Sequence, residues 1–400
     1  MAESCDLQNV PEIVSEVDLI NRLSDEVILK ILSFASTNDI FNNVNLVCKR
    51  FERLSKDPTL LKEINLTRRT NESDKNYTYE ALRRSRNLAV LKICYRPDTE
   101  ILINVAMQHC QKLQCLEIKF CEIHDNCVLD IIKNGKNLKS LAFVMTNFNS
   151  NLTEEFAFPG DLRNLRKLYL ERLDFNVENA GIFMSIADNC RNLEELLITS
   201  ITLDQMDEYE RLVDIFIINS KNSLKSLTVQ KFRNGNIIFV KFLGFCKNLE
   251  KFSIRMEDLF NDNYSGMKES FITTISKMKN LNELEIISSE MTSMCIVALL
   301  KSGFLKKLHK LIIHSEDGED YDDFVMPNFD DVIRAVDLEC PNLIELILSG
   351  FENTTFESEK IIYCHSCNFY HLKNQIVFGI CNRTSDSNLR KNRKSICFGY

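Results

Sequence analysis

The chain has 400 residues, of which 44% are hydrophobic and 26% are charged, and its formal net charge at pH 7 is −8. The apolar fraction is sufficient for a globular core. The length allows two or three ordinary domains, or one long solenoid with a small module. An acidic chain matches the phosphate backbone of nucleic acids poorly, and no apolar run approaches the ~18 residues that a membrane span requires. We therefore expect neither nucleic acid nor a membrane among its partners.

The N-terminus and the cysteines indicate a compartment. The first twenty residues are acidic and lack the apolar core of a signal peptide, and fifteen cysteines are scattered along the chain. Both features predict reduced thiols and a cytoplasmic and/or nuclear location.

Short helices are predicted between residues 20 and 66. Ser24 can cap a helix that begins with two acidic residues and continues with apolar residues on one face. Thr37 is expected to cap a second helix, apolar residues from Val44 to Leu54 to line a third, and Asp57-Pro58 to begin a fourth. A core of about 45 residues is small, so we expect a partner or the neighbouring domain to stabilise this module.

A Leu-x-x-Leu/Phe-x-apolar frame then recurs ten times. Its leading leucines stand 25 to 35 residues apart, mostly close to the period of leucine-rich repeats, at positions 88, 113, 138, 165, 193, 224, 249, 281, 308 and 343. Segments such as 99–110 and 204–220 between these runs have apolar residues at helical spacing. The pattern predicts an α/β solenoid of about ten β-α repeats, a horseshoe with a parallel sheet on its concave face.

Four of these frames begin with a cysteine, at Cys110, Cys190, Cys246 and Cys340. Other repeats have Ser85, Gly135 or Met278 at this position, a variety that a metal ligand or redox thiol would not tolerate. We therefore interpret the four cysteines as small core residues.

The residues that alternate with the inward leucines are expected to face the concave side of the sheet. Apolar and aromatic residues occur among them, which is typical of a protein-binding surface, although strand-forming residues of a solvated face are the alternative. The candidate substrate-binding residues are Lys92, Glu117, Lys167, Tyr169, Glu171, Glu195, Leu197 and Ile312.

No catalytic residue, cofactor or metal site is predicted. Cys364 and Cys367 have zinc-ligand spacing, with His371 and later cysteines behind them, but a second close pair does not follow. Buried or free thiols are the favoured interpretation. The acidic segment 315–323 and the tail after Thr355 are competing elements for substrate recognition.

The N-terminal stretch resembles a known family. "LSDEVILKILSF", "NDI" and "LVCKRFERLSKDPTLLKEI" between Leu23 and Ile64 are similar to an F-box, and the repeats behind them complete the pattern of F-box/leucine-rich-repeat proteins. The domains expected are an acidic tail (1–19), an F-box (20–66), a linker or N-terminal cap (67–84), leucine-rich repeats (85–352) and a C-terminal cap or tail (353–400).

The resemblance implies a non-catalytic substrate-recognition subunit of an SCF (Skp–cullin–F-box) ubiquitin ligase. The F-box would bind a Skp-type adaptor, and through it a cullin-RING ligase, while the repeats would hold a protein substrate. The adaptor contacts implied are Leu23, Ile28, Ile31, Leu32, Val47, Cys48 and Phe51, several of which must instead pack the F-box's own core. The alternative is a ligase-independent interaction scaffold in which the F-box-like helices cap the solenoid.

Overall fold

The computed structural model describes residues 20, 22–35, 39–67, 72–149, 162–175, 177–199, 202–203, 206–232, 243–256, 265–288, 293–315, 329–349, 367–372 and 375–380. The chain divides into two compact units, residues 1–165 and residues 166–400. Over the described ranges, no helix is both long enough and apolar enough to cross a membrane.

The first unit begins with short helical segments. They are α1 (Asp25–Leu32), a π-helical turn (Ile40–Val44), α2 (Asn45–Val47) and α3 (Lys49–Ser55). Helix α1 begins where the sequence predicts, because Ser24 is extended and its Oγ accepts a long hydrogen bond of 3.5 Å from the backbone N–H of Val27. The second predicted cap, Thr37, lies outside the described residues.

The prediction of one continuous third helix is wrong. Cys48 is extended, with φ −165° and ψ 169°, and it separates α2 from α3. This change of direction lets Arg50 and Arg53 of α3 reach Asp25 of α1. Helical periodicity runs on through Cys48 in the sequence, so the pattern alone did not show where the chain turns.

The fourth predicted helix is also wrong, because a turn occupies its place. The Asp57 carboxylate accepts hydrogen bonds from the backbone N–H of Thr59 at 2.8 Å and from its hydroxyl at 2.6 Å. The aspartate thus satisfies the turn locally instead of beginning a helix. The chain then enters strand β1 (Glu63–Leu66).

The repeats of the first unit build a parallel sheet. Its described strands follow the order β1, β2 (Val90–Cys94), β3 (Cys115–Lys119) and β5 (Ser140–Val144), and β4 (Glu122–His124) pairs separately with β6 (Asn147–Asn149). Helices α4 (Glu72–Arg84), α5 (Thr99–His109) and α6 (Asp125–Asn134) connect the strands. One fully buried row crosses the sheet in register, formed by Ile64, Leu91, Leu116 and Leu141.

The second unit repeats the same strand–helix arrangement. Its described strands are β7 (Lys167–Glu171), β8 (Asp174–Phe175), β9 (Glu195–Thr199), β10 (Thr202–Leu203), β11 (Ser226–Phe232), β12 (Lys251–Met256), β13 (Glu283–Ser288), β14 (Lys310–Ser315), β15 (Glu345–Ser349), β16 (Cys367–Leu372) and β17 (Gln375–Ile380). Its described helices are α7 (Val177–Asn189), α8 (Met206–Ser220), α9 (Ser265–Ser276), α10 (Ser293–Lys301), a 3₁₀ turn (Phe304–Lys307) and α11 (Phe329–Glu339). The main sheet has the order β7-β9-β11-β12-β13-β14-β15-β17-β16, parallel up to β15 and antiparallel in its last two strands, while β8 pairs with β10.

The leading leucine of each repeat lies in the core. All ten, from Leu88 to Leu343, are at most 5% exposed. Together with the parallel strand order in each unit, this burial confirms the predicted α/β repeat architecture. The horseshoe curvature stays a prediction.

In five repeats, the asparagine that immediately precedes the leading leucine joins its repeat to the one before. Each side-chain amide donates to a backbone carbonyl of the preceding repeat, at 2.6–3.0 Å, in the pairs Asn137–Gln111, Asn164–Lys136, Asn248–Asn222, Asn280–Lys247 and Asn342–Lys306. These bonds satisfy carbonyls in the turns that lead into the strands. The recurring Asn-Leu pair is visible in the sequence, although these hydrogen bonds were not predicted from it.

Candidate functional site

The predicted adaptor-binding residues separate into two groups in the folded module. Ile28 and Leu32 on α1 are buried, so they pack the core of the module itself. Ile31, Val47 and Cys48 are exposed, and Leu23 and Phe51 are partly exposed. Only the second group is accessible to a partner.

Four further exposed apolar residues in this module were missed. They are Ile20, Val27 on α1, Phe34 just after it, and Leu46 on α2, and Phe34 is 80% exposed. Val27, Ile31 and Phe34 follow one another at helical spacing, beside the buried stripe that contains Ile28 and Leu32. When a helix is apolar over two adjacent stripes, one stripe can pack the core of its own domain while the other remains available for a second contact. This pattern was present in the sequence. We call Val27, Ile31, Phe34, Leu46 and Val47 the exposed F-box set.

A charge cluster fixes α1 against α3. The Arg50 guanidinium contacts Asp25 at 2.7 Å and also donates to the carbonyl of Leu23 at 2.6 Å, while Arg53 contacts the other oxygen of Asp25 at 2.5 Å. Hydrogen bonds from Arg53 and then Arg50 lower the pKa of Asp25 below its ordinary value. The cluster holds the helix that carries Val27 and Ile31 in a defined orientation.

In the first unit, the outward-facing candidates are Lys92 and Glu117, which pair in register on β2 and β3. Lys92 contacts Glu63 on β1 at 2.9 Å, and this hydrogen bond raises the pKa of Lys92. Glu117 forms an ion pair with Lys119 on its own strand. Both candidates therefore have charged partners within the sheet.

In the second unit, the structure brings five candidates together on two neighbouring strands. Tyr169 lies in register with Leu197, and Lys167 with Glu195, while Glu171 ends β7 beside them. The Tyr169 hydroxyl donates to Glu195 at 2.5 Å, and the Lys167 ammonium contacts the same carboxylate at 2.6 Å. Partial burial would raise the pKa of Glu195, but the hydrogen bonds from Lys167 and Tyr169 outweigh it and lower this pKa.

The remaining candidate of the second unit lies elsewhere on the same sheet. Ile312 is partly exposed on β14, four strands beyond β9, and it pairs in register with Ile347 on β15. Within the second unit, the outward-facing row is continuous in register from Tyr169 to Ile347, but the candidates in it do not form a single cluster.

The four repeat cysteines are buried, as predicted. Burial raises the pKa values of Cys110, Cys246 and Cys340 to about 12, and that of Cys190 further. The described residues contain no group of three or more His, Cys, Asp or Glu side chains arranged to hold a metal ion. The tail residues Cys364, Cys381 and Cys397 and most of segment 315–323 lie outside the described residues.

Comparison with known proteins identifies the N-terminal module. Residues 20–67 match the model of the F-box-like family, which confirms the resemblance inferred from this stretch. The chain therefore carries an F-box-like domain, followed by α/β repeats that agree with the leucine-rich-repeat interpretation. No curated protein matches the chain.

Proposed function

We propose that this chain is a substrate-recognition subunit of an SCF-type ubiquitin ligase. The observation that supports it most is the exposure of large apolar residues in the F-box-like domain. Of the thirteen large apolar residues that are exposed among the described ones, six lie between Ile20 and Val47. Such a concentration in so small a module is what a protein interface needs, because its apolar side chains gain most when a partner removes them from water.

In this proposal the exposed F-box set contacts a Skp-type adaptor. Leu23, Cys48 and Phe51 add to the contact from partly or fully exposed positions, whereas Ile28 and Leu32 support it from inside the module. The Asp25–Arg50–Arg53 cluster keeps α1 and α3 in the arrangement that presents the set.

The repeats would hold the protein substrate on the outward-facing side of their sheets, which is the side that the sequence predicts to be concave. The residues proposed for this contact are those predicted from the sequence: Lys92, Glu117, Lys167, Tyr169, Glu171, Glu195, Leu197 and Ile312. The chain itself would do no chemistry, since holding the substrate near the ubiquitin-charged enzyme raises its effective concentration there.

Capture of a purified Skp-type adaptor by the full chain tests the proposal. Ile31→Asp together with Val47→Asp places two charges on the exposed F-box set, and we expect capture to weaken at least about 30-fold, as for the loss of interface hot spots. Ile101→Asp is the matched control, because Ile101 on α5 is 54% exposed, as Ile31 is. Undiminished capture by the double variant would contradict the proposed adaptor surface.

The alternative role, an interaction scaffold capped by the F-box-like helices, has one observation in its favour. Strand β1 lies inside the F-box-like match and pairs in parallel with β2, so this domain contributes the first strand to the sheet of the first unit. Capping uses β1 and buried residues, whereas adaptor binding uses the exposed F-box set. Failure of the wild-type chain to capture any Skp-type adaptor would favour the scaffold.

A further inference from the structure

Ion pairs connect neighbouring strands on the outer sheet face of the second unit, which we define as the outward-facing residues of β7, β9 and β11–β15. In each pair a lysine lies in register with a glutamate of the next strand. The pairs are Lys167–Glu195 at 2.6 Å, Lys251–Glu283 at 2.7 Å and Lys310–Glu345 at 3.0 Å. These lysines are therefore already compensated within the sheet.

The other charges of this face do not leave a positive excess. Among its described Lys, Arg, Asp and Glu side chains, four positive residues stand against five carboxylates. These nine are Lys167, Lys251, Arg255, Lys310, Glu171, Glu195, Glu283, Glu285 and Glu345. Hydroxyl groups also bind the carboxylates, since Ser253 donates to Glu285 at 2.6 Å and Tyr169 donates to Glu195.

A phosphorylated segment would be a poor ligand for such a face. Its phosphate carries a charge of about −1.5 to −2 at neutral pH and binds best to a cluster of cations. Here it would have to displace a glutamate from its lysine and then lie among the remaining carboxylates, so that like charges would repel it.

Aliphatic side chains occupy the same face. Leu197, Ile287, Ile312 and Ile347 are partly exposed there, and Ile312 lies in register with both Glu285 and Ile347. Apolar contact area beside mutually neutralised charges is complementary to a segment that is itself apolar and uncharged.

We propose that the outer sheet face of the second unit recognises an unphosphorylated segment of a protein substrate through aliphatic or aromatic side chains. The inference deepens the proposed function, on which it rests for the role of this face as a substrate site. Recognition would then be controlled by exposure of the segment and not by a kinase.

Two synthetic peptide pools provide the probe. They share the same randomised positions and differ only in a central serine or phosphoserine, and the immobilised full chain selects from each pool at low and high salt. We expect the unphosphorylated pool to be captured at least as well as the phosphorylated one, with Leu, Ile, Val and Phe enriched. Capture should change less than about twofold with salt, because apolar contacts are not screened.

Variants assign the selection to this face. Leu197→Ser together with Ile312→Ser should reduce capture of the unphosphorylated pool about tenfold. Leu338→Ser, at an exposed position on α11 of the same unit, is the matched control and should leave capture unchanged. Glu195→Gln together with Glu283→Gln removes the compensation of Lys167 and Lys251, and it should raise capture of the phosphoserine pool about threefold.

Three results would overturn the inference: preference of the wild-type chain for the phosphoserine pool, unchanged capture by the Leu197/Ile312 variant, or capture of neither pool. The measurement is independent of the adaptor. If the wild-type chain selected peptides as expected but captured no adaptor, the proposed ligase role alone would be refuted. If it captured the adaptor but did not select peptides as expected, the unphosphorylated-segment site alone would be refuted.

Discussion

Removing one member of the buried Arg96–Asp98 pair should destabilise the first unit strongly. The two side chains are 2% and 6% exposed, and the guanidinium donates two hydrogen bonds to the carboxylate, both at 2.8 Å. Tyr79 on α4 donates to the same carboxylate at 2.9 Å. The pair therefore fixes the segment between β2 and α5 to the preceding helix.

Asp98→Ala leaves the Arg96 guanidinium buried without a counter-charge. Breaking a buried pair in this way costs about 3–5 kcal/mol of folding free energy. Tyr79→Phe removes the hydrogen bond to the charged Asp98 acceptor and leaves the Arg96–Asp98 pair intact, for which about 1.5 kcal/mol is expected. Arg96→Met together with Asp98→Ala should be more stable than Asp98→Ala alone, because the double variant contains no unpaired charge.

The free energy of opening should be measured by amide hydrogen exchange on the full chain. This method follows β2 and α5 separately, which matters because the two units need not unfold in one transition. Thermal unfolding of the same variants supplies an independent ranking. If the double variant proved no more stable than Asp98→Ala, the loss could not be attributed to an uncompensated guanidinium, and the reasoning would be refuted.

Further outcomes are expected from the same structure. Exposed Cys48 should be alkylated in the native chain well before the buried repeat cysteines, because burial blocks access to those thiols and raises their pKa values. Equal alkylation rates, measured by mass spectrometry, would contradict the interpretation of the repeat cysteines as core residues. Burial would raise the pKa of Asp98, but hydrogen bonds from Arg96 and Tyr79 outweigh it and lower this pKa below its ordinary value of 3.8. The contribution of Asp98 to stability is therefore present above pH 3.8 and is lost as the pH falls through the lower pKa of the folded state. Stability measured as a function of pH should fall less in acid for Asp98→Asn than for the wild-type chain. Asn248→Ala should lower the free energy of opening of the second unit by about 1 kcal/mol, measured by amide hydrogen exchange, because the bond to the Asn222 carbonyl is lost. Leu32→Asp should unfold the F-box-like domain in a proteolysis assay, whereas Ile31→Asp should leave it folded, because only Leu32 is buried.

The repeat architecture could be predicted from the sequence because its signal is local. A leucine frame every 25 to 35 residues reports which positions of each strand point inward, and all ten leading leucines are indeed buried. The same logic identified the cysteines as core residues, since their position accepts several small or apolar side chains. The F-box-like domain was recognisable because many residues match its pattern in order.

Tertiary packing decided which apolar residues of α1 are buried and which are exposed. Ile28, Ile31 and Leu32 are equally apolar and lie within five residues, and periodicity shows only that a face is buried, not what covers it. The rest of the folded module covers Ile28 and Leu32 and leaves Ile31 exposed. The break at Cys48 has the same origin, because the contact between α3 and Asp25 requires the chain to change direction there.

The pairing of charges on the outer sheet face also depends on the folded chain. Lys251 and Glu283 are 32 residues apart, and their contact follows from the register in which β12 and β13 pair. A sequence shows each lysine as a free positive charge, whereas strand pairing places a carboxylate beside it. The sequence therefore determined which residues face outward, and only the register decided that these charges neutralise one another, because pairing joins residues from different repeats.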